Sequence, residues 1–265
     1  MKDDNHPGPA FVLEGVSKVY PRTVAISRVS LEIGRGERVA VVGPSGSGKT
    51  TFLHLLGGIV KPDEGRVFID GRPLSALRRR KELASMVGLI HQQFDLVPHL
   101  SVVHNVLAGR LGYWNLLRSL LSLISPRELP LALEALRKVG LPDKVYERTS
   151  KLSGGEQQRV AIARLLVQSP RAILADEPVA SLDPARAEDL MQLLLDIVQE
   201  SQRTLVASLH SVEITRRYFS RAIGLRNGQL QFDIPVEVLT GQMLEELYDL
   251  GDKKGHLETE LSTAP

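Results

Sequence analysis

The run Gly43-Pro44-Ser45-Gly46-Ser47-Gly48-Lys49-Thr50 has the residue types and spacing to hold a polyphosphate. Glycines let the backbone bend closely around an anion, and successive N–H groups at a helix start point toward its charge. Lys49 is then placed to reach the β- and γ-phosphates, and the Thr50 hydroxyl to bind magnesium. A second element, Ile173-Leu174-Ala175-Asp176-Glu177, ends an apolar run in two adjacent carboxylates. Asp176 suits the metal, through water, and Glu177 suits polarisation of an attacking water. Together these residues predict a nucleoside triphosphate site that can hydrolyse.

A third element is Leu152-Ser153-Gly154-Gly155-Glu156-Gln157. Ser153 and Glu156 have the spacing of a capping box that opens a helix. Capping alone gives no reason for two glycines in the first turn, where they weaken it. They fit a turn that must come close to another molecule, and its exposed N–H groups suit a phosphate.

These side chains need strands and helices to carry them. Arg38–Gly43, Arg171–Glu177 and Arg203–His210 are short, continuous apolar runs, the pattern of strands buried on both faces of a parallel sheet. Gly65–Gly71 and Met86–Ile90 predict further strands, and Phe11–Ile33 predicts antiparallel ones. Thr50–Val60 predicts a helix. Asp183-Pro184 supplies an N-cap and a first-turn proline for another, with Leu190, Leu194, Ile197 and Val198 on one face. From about 95 to 160 the chain is Leu-rich at helical spacing, as in Leu129, Leu133, Leu136 and Val139. Asn227-Gly228 marks a hairpin. The expected fold is α/β: a P-loop core on a mixed, mainly parallel sheet, with an antiparallel β subdomain and an inserted α-helical subdomain. Residues 1–10 are expected to be a disordered leader, 11–250 one nucleoside-triphosphatase domain, and 251–265 a polar tail.

Composition narrows the function classes. Thirty-three Lys and Arg against 31 Asp and Glu leave a formal charge of +2, which argues against binding a polyanion through a bulk positive field. The absence of cysteine excludes disulfides, thiolate metal sites and a thiol nucleophile. Leu111–Ile124 is interrupted by Gly112, Asn115 and Arg118, too polar for a span of about 20 apolar residues. The start, MKDDNHPGPA, has no apolar core and does not read as a secretory signal. An intracellular location is expected. Arg78-Arg79-Arg80-Lys81 reads as a solvated helix face, since no aromatic residues are interleaved for base stacking. Nucleic acid is therefore not an expected partner.

The P-loop, Leu152–Gln157, Ile173–Pro178 and Ser181-Leu182-Asp183, in that order, resemble the ATPase subunit of an ABC transporter from about Phe11 to Leu250. The resemblance implies binding of ATP with magnesium, with Gly43 to Thr51 around the phosphates. It implies that Ser153, Gly154, Gly155, Glu156 and Gln157 contact the ATP held by a partner subunit, in a head-to-tail homodimer. Tyr20 falls where an aromatic ring stacks on adenine. Gln92 falls where a glutamine senses magnesium, although Gln93 beside it matches almost as well. His210 falls where a histidine faces the γ-phosphate, and Asp183 where an aspartate couples the two sites. Catalysis is thus expected from Glu177, His210 and Lys49, and metal binding from Thr50, Gln92 and Asp176.

Gln92–Pro98, Asn105–Gly112, Ala175–Pro184 and Ser208–Glu213 further resemble ATPases of phosphonate importers. Thr51–Gly58 instead resembles lipoprotein-release or macrolide-type exporter ATPases. The implied partners are integral-membrane permease subunits and, indirectly, a solute-binding protein, with the chain peripheral on the cytoplasmic face of the inner membrane. Tyr113–Ile124 has two readings, a packed amphipathic element or a surface receiving a permease helix on Trp114. A non-transport ABC ATPase acting on DNA or ribosomes, and a P-loop signalling switch, are the contrasting classes.

Overall fold

The computed structural model describes residues 8–77, 80–92, 94–115, 117, 119, 121–122, 128–180 and 182–248. The early alternating segment folds into an antiparallel sheet. Strands β1 (Phe11–Tyr20), β2 (Thr23–Ile33), β4 (Glu64–Ile69) and β5 (Arg72–Pro73) lie in the order β2-β1-β4-β5. The second sheet carries β3 (Arg38–Val42), β6 (Val87–Ile90), β7 (Ala172–Asp176), β8 (Thr204–Ser208), β9 (Arg221–Arg226) and β10 (Gln229–Pro235). Its order is β10-β9-β3-β8-β7-β6, parallel throughout except for the antiparallel β9–β10 hairpin. That hairpin turns at Asn227 and Gly228, both at positive φ, as the sequence predicts.

The apolar runs are continuous because both faces of this sheet are covered. Val39 and Val41 of β3, Leu174 of β7 and Val206 of β8 belong to one core, shared with the antiparallel sheet. Their alternates, Ala40, Val42, Ile173, Ala175, Leu205 and Ala207, belong to a second core under the helices. A period of two splits each strand between the two layers.

Helix α1 (Lys49–Leu56) buries Phe52, Leu53, Leu55 and Leu56 in the first core. It stops four residues short of the predicted end at Val60. Gly58 turns to φ 65, and Ile59 N–H donates to the His54 carbonyl at 2.9 Å, closing the helix with a left-handed glycine cap. Helix α2 (Arg80–Met86) takes Met86 out of the strand predicted for it, while Arg78 and Arg79 lie outside the described residues.

The Leu-rich stretch contains α3 (Val102–Leu107) and α4 (Leu129–Lys138), which pack against α5 (Gly154–Gln168). Asn105 ties the segment together: its side chain accepts from Val97 N–H at 2.7 Å and donates to the Val97 carbonyl at 3.1 Å. Of Tyr113–Ile124, Leu116, Arg118, Leu120, Leu123 and Ile124 lie outside the described residues. Trp114 is half-buried against the second core, while Leu117 and Leu121 are exposed. The chain closes through α6 (Pro184–Glu200), α7 (Val212–Tyr218) and α8 (Gly241–Tyr248). Asp183 caps α6, its side chain accepting from Arg186 N–H at 3.1 Å. The predicted leader is described only from Gly8, and the tail 251–265 lies outside the described residues.

Pairing register decides what the sheet presents. Val41 lies beside Ser208, Ser208 beside Asp176, and Ala175 beside Ile90. The C-terminal ends of β3, β8, β7 and β6 are therefore level. The residues that follow them, Gly43, His210, Glu177 and Gln92, emerge on one edge, where open α/β sheets bind ligands.

Candidate functional site

The loop from Gly43 to Gly48 leaves β3 and enters α1 directly. Gly43, Gly46 and Gly48 all have positive φ. At Gly48 the requirement is also steric, because a Cβ there would overlap the Ala25 carbonyl oxygen. Lys49 Nζ reaches back to donate to the carbonyls of Gly43 at 2.9 Å and Pro44 at 3.1 Å. Burial pulls its ammonium below the ordinary lysine value, and the negative charges of Glu177 and Asp176 oppose that shift. The Ser47 hydroxyl is buried without a hydrogen-bond partner among the described residues. A closely wrapped loop, a desolvated ammonium and an unmatched buried hydroxyl together suit an anionic, oxygen-rich ligand.

Asp176 is the last residue of β7 and is buried. Ser208, fully buried on the neighbouring strand, donates its hydroxyl to Asp176 Oδ1 at 2.7 Å. The Ser208 hydroxyl oxygen in turn accepts the Glu177 N–H at 2.8 Å. Glu177 itself adopts φ 48, the left-handed region that a non-glycine residue enters only when its surroundings fix it there. Its two carboxylate oxygens are divided between partners. Gln92 Nε2 donates to Oε2 at 3.0 Å, and His210 Nε2 lies 2.6 Å from Oε1. Gln92 thus reaches Glu177, while Gln93, the neighbouring alternative, lies outside the described residues. His210 stands two residues beyond β8 rather than at its end, on the loop that leads to the Ser211 cap of α7.

One open cavity of about 470 Å³ collects most of these groups. Tyr20, Ser45, Gly46, Gly48, Lys49, Thr50, Thr51, Gln92, Glu177 and His210 all line it. Tyr20, at the end of β1, is 40% exposed, with the Lys18 ammonium 5.6 Å from its ring centroid. The Ser153 motif is elsewhere. Ser153, Gly155 and Glu156 line a separate polar recess with Arg159, Arg186 and Asp189. Its helix begins as predicted: the Ser153 N–H donates to Glu156 Oε2 at 2.8 Å, and the Glu156 N–H donates to Ser153 Oγ at 3.3 Å. The hydrogen bond from the Ser153 backbone holds the Glu156 carboxyl below its ordinary value. Gln157 turns inward instead, donating to the Thr149 and Leu152 carbonyls.

Two groups at the site have no sequence signal strong enough to find them. Ser208 reads as the polar end of an apolar strand, and only strand pairing reveals that it serves both carboxylate positions. Tyr248, from α8, accepts the Gly43 N–H at 3.2 Å, and burial raises its hydroxyl pKa. Gly228, at the hairpin tip, donates its N–H to the Ser47 carbonyl at 3.0 Å and accepts from Ser27 N–H at 2.8 Å. It fastens the P-loop to β2.

Fold and cavity define a class, the P-loop α/β proteins that bind nucleotides at the carboxyl edge of a parallel sheet. The sequence profile described as ABC transporter matches residues 26–180, and the chain belongs to that family. It is 48% identical over 92% of its length to the phosphonates import ATP-binding protein PhnC of Anaeromyxobacter dehalogenans, spanning about half (49%) of that relative. It is 46% identical to the PhnC of Pseudomonas putida, over 90% of each chain. Among solved structures, the dimeric, post-hydrolysis state of the ATP-binding cassette MJ0796 bound to ADP and Pi superposes with a TM-score of 0.75. That match has 34% identity and covers 85% of this chain and 98% of the cassette.

Proposed function

We propose that this chain binds and hydrolyses ATP to energise an ABC importer, with phosphonates or a related phosphorus oxyanion as cargo. The observation that carries the reading is Glu177, held between Gln92 and His210 beside the P-loop lysine. In this reading Gly43, Pro44, Ser45, Gly46, Ser47, Gly48, Lys49, Thr50 and Thr51 enclose the triphosphate, and Tyr20 stacks on adenine. Glu177 takes the proton from the attacking water, His210 orients the γ-phosphate end, and Lys49 neutralises developing charge. Magnesium favours oxygen ligands and keeps several waters, so Thr50, Gln92 and Asp176 fit it, and it would neutralise charge on the β- and γ-oxygens.

The Ser153–Gln157 turn lies apart from this cavity, which suits completion of a second copy's site in a head-to-tail homodimer. Asp183, beside the recess at the start of α6, is proposed to link the two sites. The chain then works as one ATPase domain, 11–250, whose helical part is about 95–160, with α5 crossing back from it to the sheet. No helix among the described residues is long and apolar enough to cross a membrane. Permease subunits are the proposed membrane partners, a solute-binding protein an indirect one, and the cytoplasmic face of the inner membrane the proposed location, a reading supported by the import ATPases among its relatives.

The relatives' names support phosphonate as cargo. The exporter-like Thr51–Gly58 segment bears little on cargo, since Phe52, Leu53, Leu55 and Leu56 are buried in the core. Uptake of labelled methylphosphonate, phosphite and phosphate by cells lacking this chain tests the proposal. Methylphosphonate or phosphite uptake is expected to be lost, restored by the wild-type chain and not by Lys49→Ala. Unchanged uptake of all three rejects the cargo, and association with ribosomes rather than a permease rejects transport.

Ser208→Ala removes the hydroxyl that serves both Asp176 and the Glu177 N–H. Leaving a buried group unmatched costs about 1–3 kcal/mol. Turnover is expected to fall at least about fivefold while nucleotide binding persists. Steady-state phosphate release checks this, and wild-type turnover would remove Ser208 from the site.

A further inference from the structure

Helix α5 opens at the Ser153 turn, yet two of its side chains leave the helical layer and grip the loops that carry Gln92 and Glu177. Arg164 grips the first. Its Nη1 donates to the Asp95 carbonyl and its Nη2 to the Phe94 carbonyl, each at 2.7 Å. Those carbonyls lie two and three residues past Gln92. Phe94 and Asp95 adopt φ 58 and 45, two successive left-handed conformations that are disfavoured for L-residues. A planar guanidinium holds two successive carbonyls with separate N–H groups in a fixed fork, where an ammonium offers rotatable donors on a single nitrogen. Burial lowers the Arg164 pKa, and the Asp95 carboxylate opposes that shift.

Gln158 grips the second loop. It is 2% exposed, and its Nε2 donates at 2.9 Å to the carbonyl of Pro178, the residue after Glu177. Its Oε1 is buried without a partner among the described residues. A buried, half-satisfied amide is a cost to the fold, and its hydrogen bond to Pro178 is what that cost secures.

We infer that Arg164 and Gln158 are positioning residues that hold Gln92 and Glu177 face to face. The helix that begins at the Ser153 turn is thereby tied to the carboxylate over the same chain's own P-loop. A shift of α5 along its axis would carry Phe94, Asp95 and Pro178 with it and alter the 3.0 Å Gln92–Glu177 contact. The inference rests on the roles proposed above for Gln92 and Glu177.

The test is a double-variant cycle on the full-length chain, with Arg164→Met, Gln92→Ala and their combination. ATP turnover and nucleotide affinity are measured for each. Arg164→Met is expected to lower kcat by about ten- to a hundredfold, the size of one or two charge-assisted hydrogen bonds. Nucleotide Kd should stay within about threefold, because the P-loop is untouched. Arg164→Lys should recover only part of the loss, having charge without the fork. In the Gln92→Ala background, Arg164→Met should add less than about twofold, since both losses pass through one contact.

Losses that multiply fully, or a wild-type kcat in Arg164→Met beside an impaired Gln92→Ala, overturn the brace. A kcat unchanged in Gln92→Ala itself overturns the underlying role, and the inference with it. Should Arg164→Met fail to fold, Arg164→Lys replaces it in the cycle: a loss absorbed by Gln92→Ala supports the brace, and a loss that multiplies fully overturns it.

Discussion

Glu177→Gln is expected to lower ATP turnover by about 10²–10⁴-fold, the usual contribution of a positioned general base. Nucleotide affinity should be little changed, because Lys49 and the P-loop backbone are intact. The amide is the same shape as the carboxylate, so the left-handed backbone at 177 and its N–H bond to Ser208 survive. It can also keep both side-chain contacts. The amide oxygen accepts from Gln92, and the NH₂ turns to an unprotonated nitrogen of His210. What it cannot do is take a proton from water. ATP should then be bound and not consumed, and the nucleotide-bound protein should accumulate as a dimer. Phosphate release, nucleotide titration and solution mass together check this. Normal steady-state turnover would remove Glu177 as the base, whatever its geometry.

The second large effect concerns the separation of the Ser153 recess from the P-loop cavity within one chain. Ser153→Arg removes an N-cap worth about 1 kcal/mol and fills the recess with a bulky cation. Each P-loop should still bind nucleotide, and hydrolysis should fall by about 10² or more as the donors facing a partner's phosphate are lost. Lys49→Ala should be inactive for the opposite reason, an intact recess beside a defective P-loop. Mixing the two inactive variants should restore activity, because one site of the mixed dimer pairs the sound P-loop of one chain with the sound recess of the other. Recovery with the concentration dependence of dimer exchange supports sites shared between chains. A mixture as inactive as its components, although it forms dimers, would show that each chain hydrolyses alone.

Features of this site differ in how far the sequence discloses them, and the reason is distance along the chain. The P-loop and the Ser153 capping box are local. Eight residues, or four, carry the whole pattern, so they are legible before folding. Asp176 and Glu177 are legible through their company: two acids at a strand end are common, but here Pro178 follows them and the P-loop lies upstream. Gln92 and Gln93 are ambiguous in sequence, since adjacent loop residues differ only in which way the backbone turns. Ser208, Tyr248, Arg164 and Gln158 are silent there. Their partners lie between 20 and 205 positions away in sequence, and only strand register and helix packing bring them together. Helix α1 ends early because a glycine pair that looks tolerable within an apolar run is a stop signal once Gly58 turns left-handed.

The Gly228 turn changes how this protein should accept insertions. Two-residue hairpin tips at a surface are ordinarily where extra chain is best tolerated. Here the tip holds the Ser47 carbonyl on one side and the Ser27 N–H on the other, so its position sets the separation of the phosphate loop from β2. A Cβ at Gly228 would also crowd the backbone of Val24 and Ala25. Tags, epitopes or linkers placed there would alter the spacing between the P-loop and β2. What looks like a permissive graft point is a calibrated spacer.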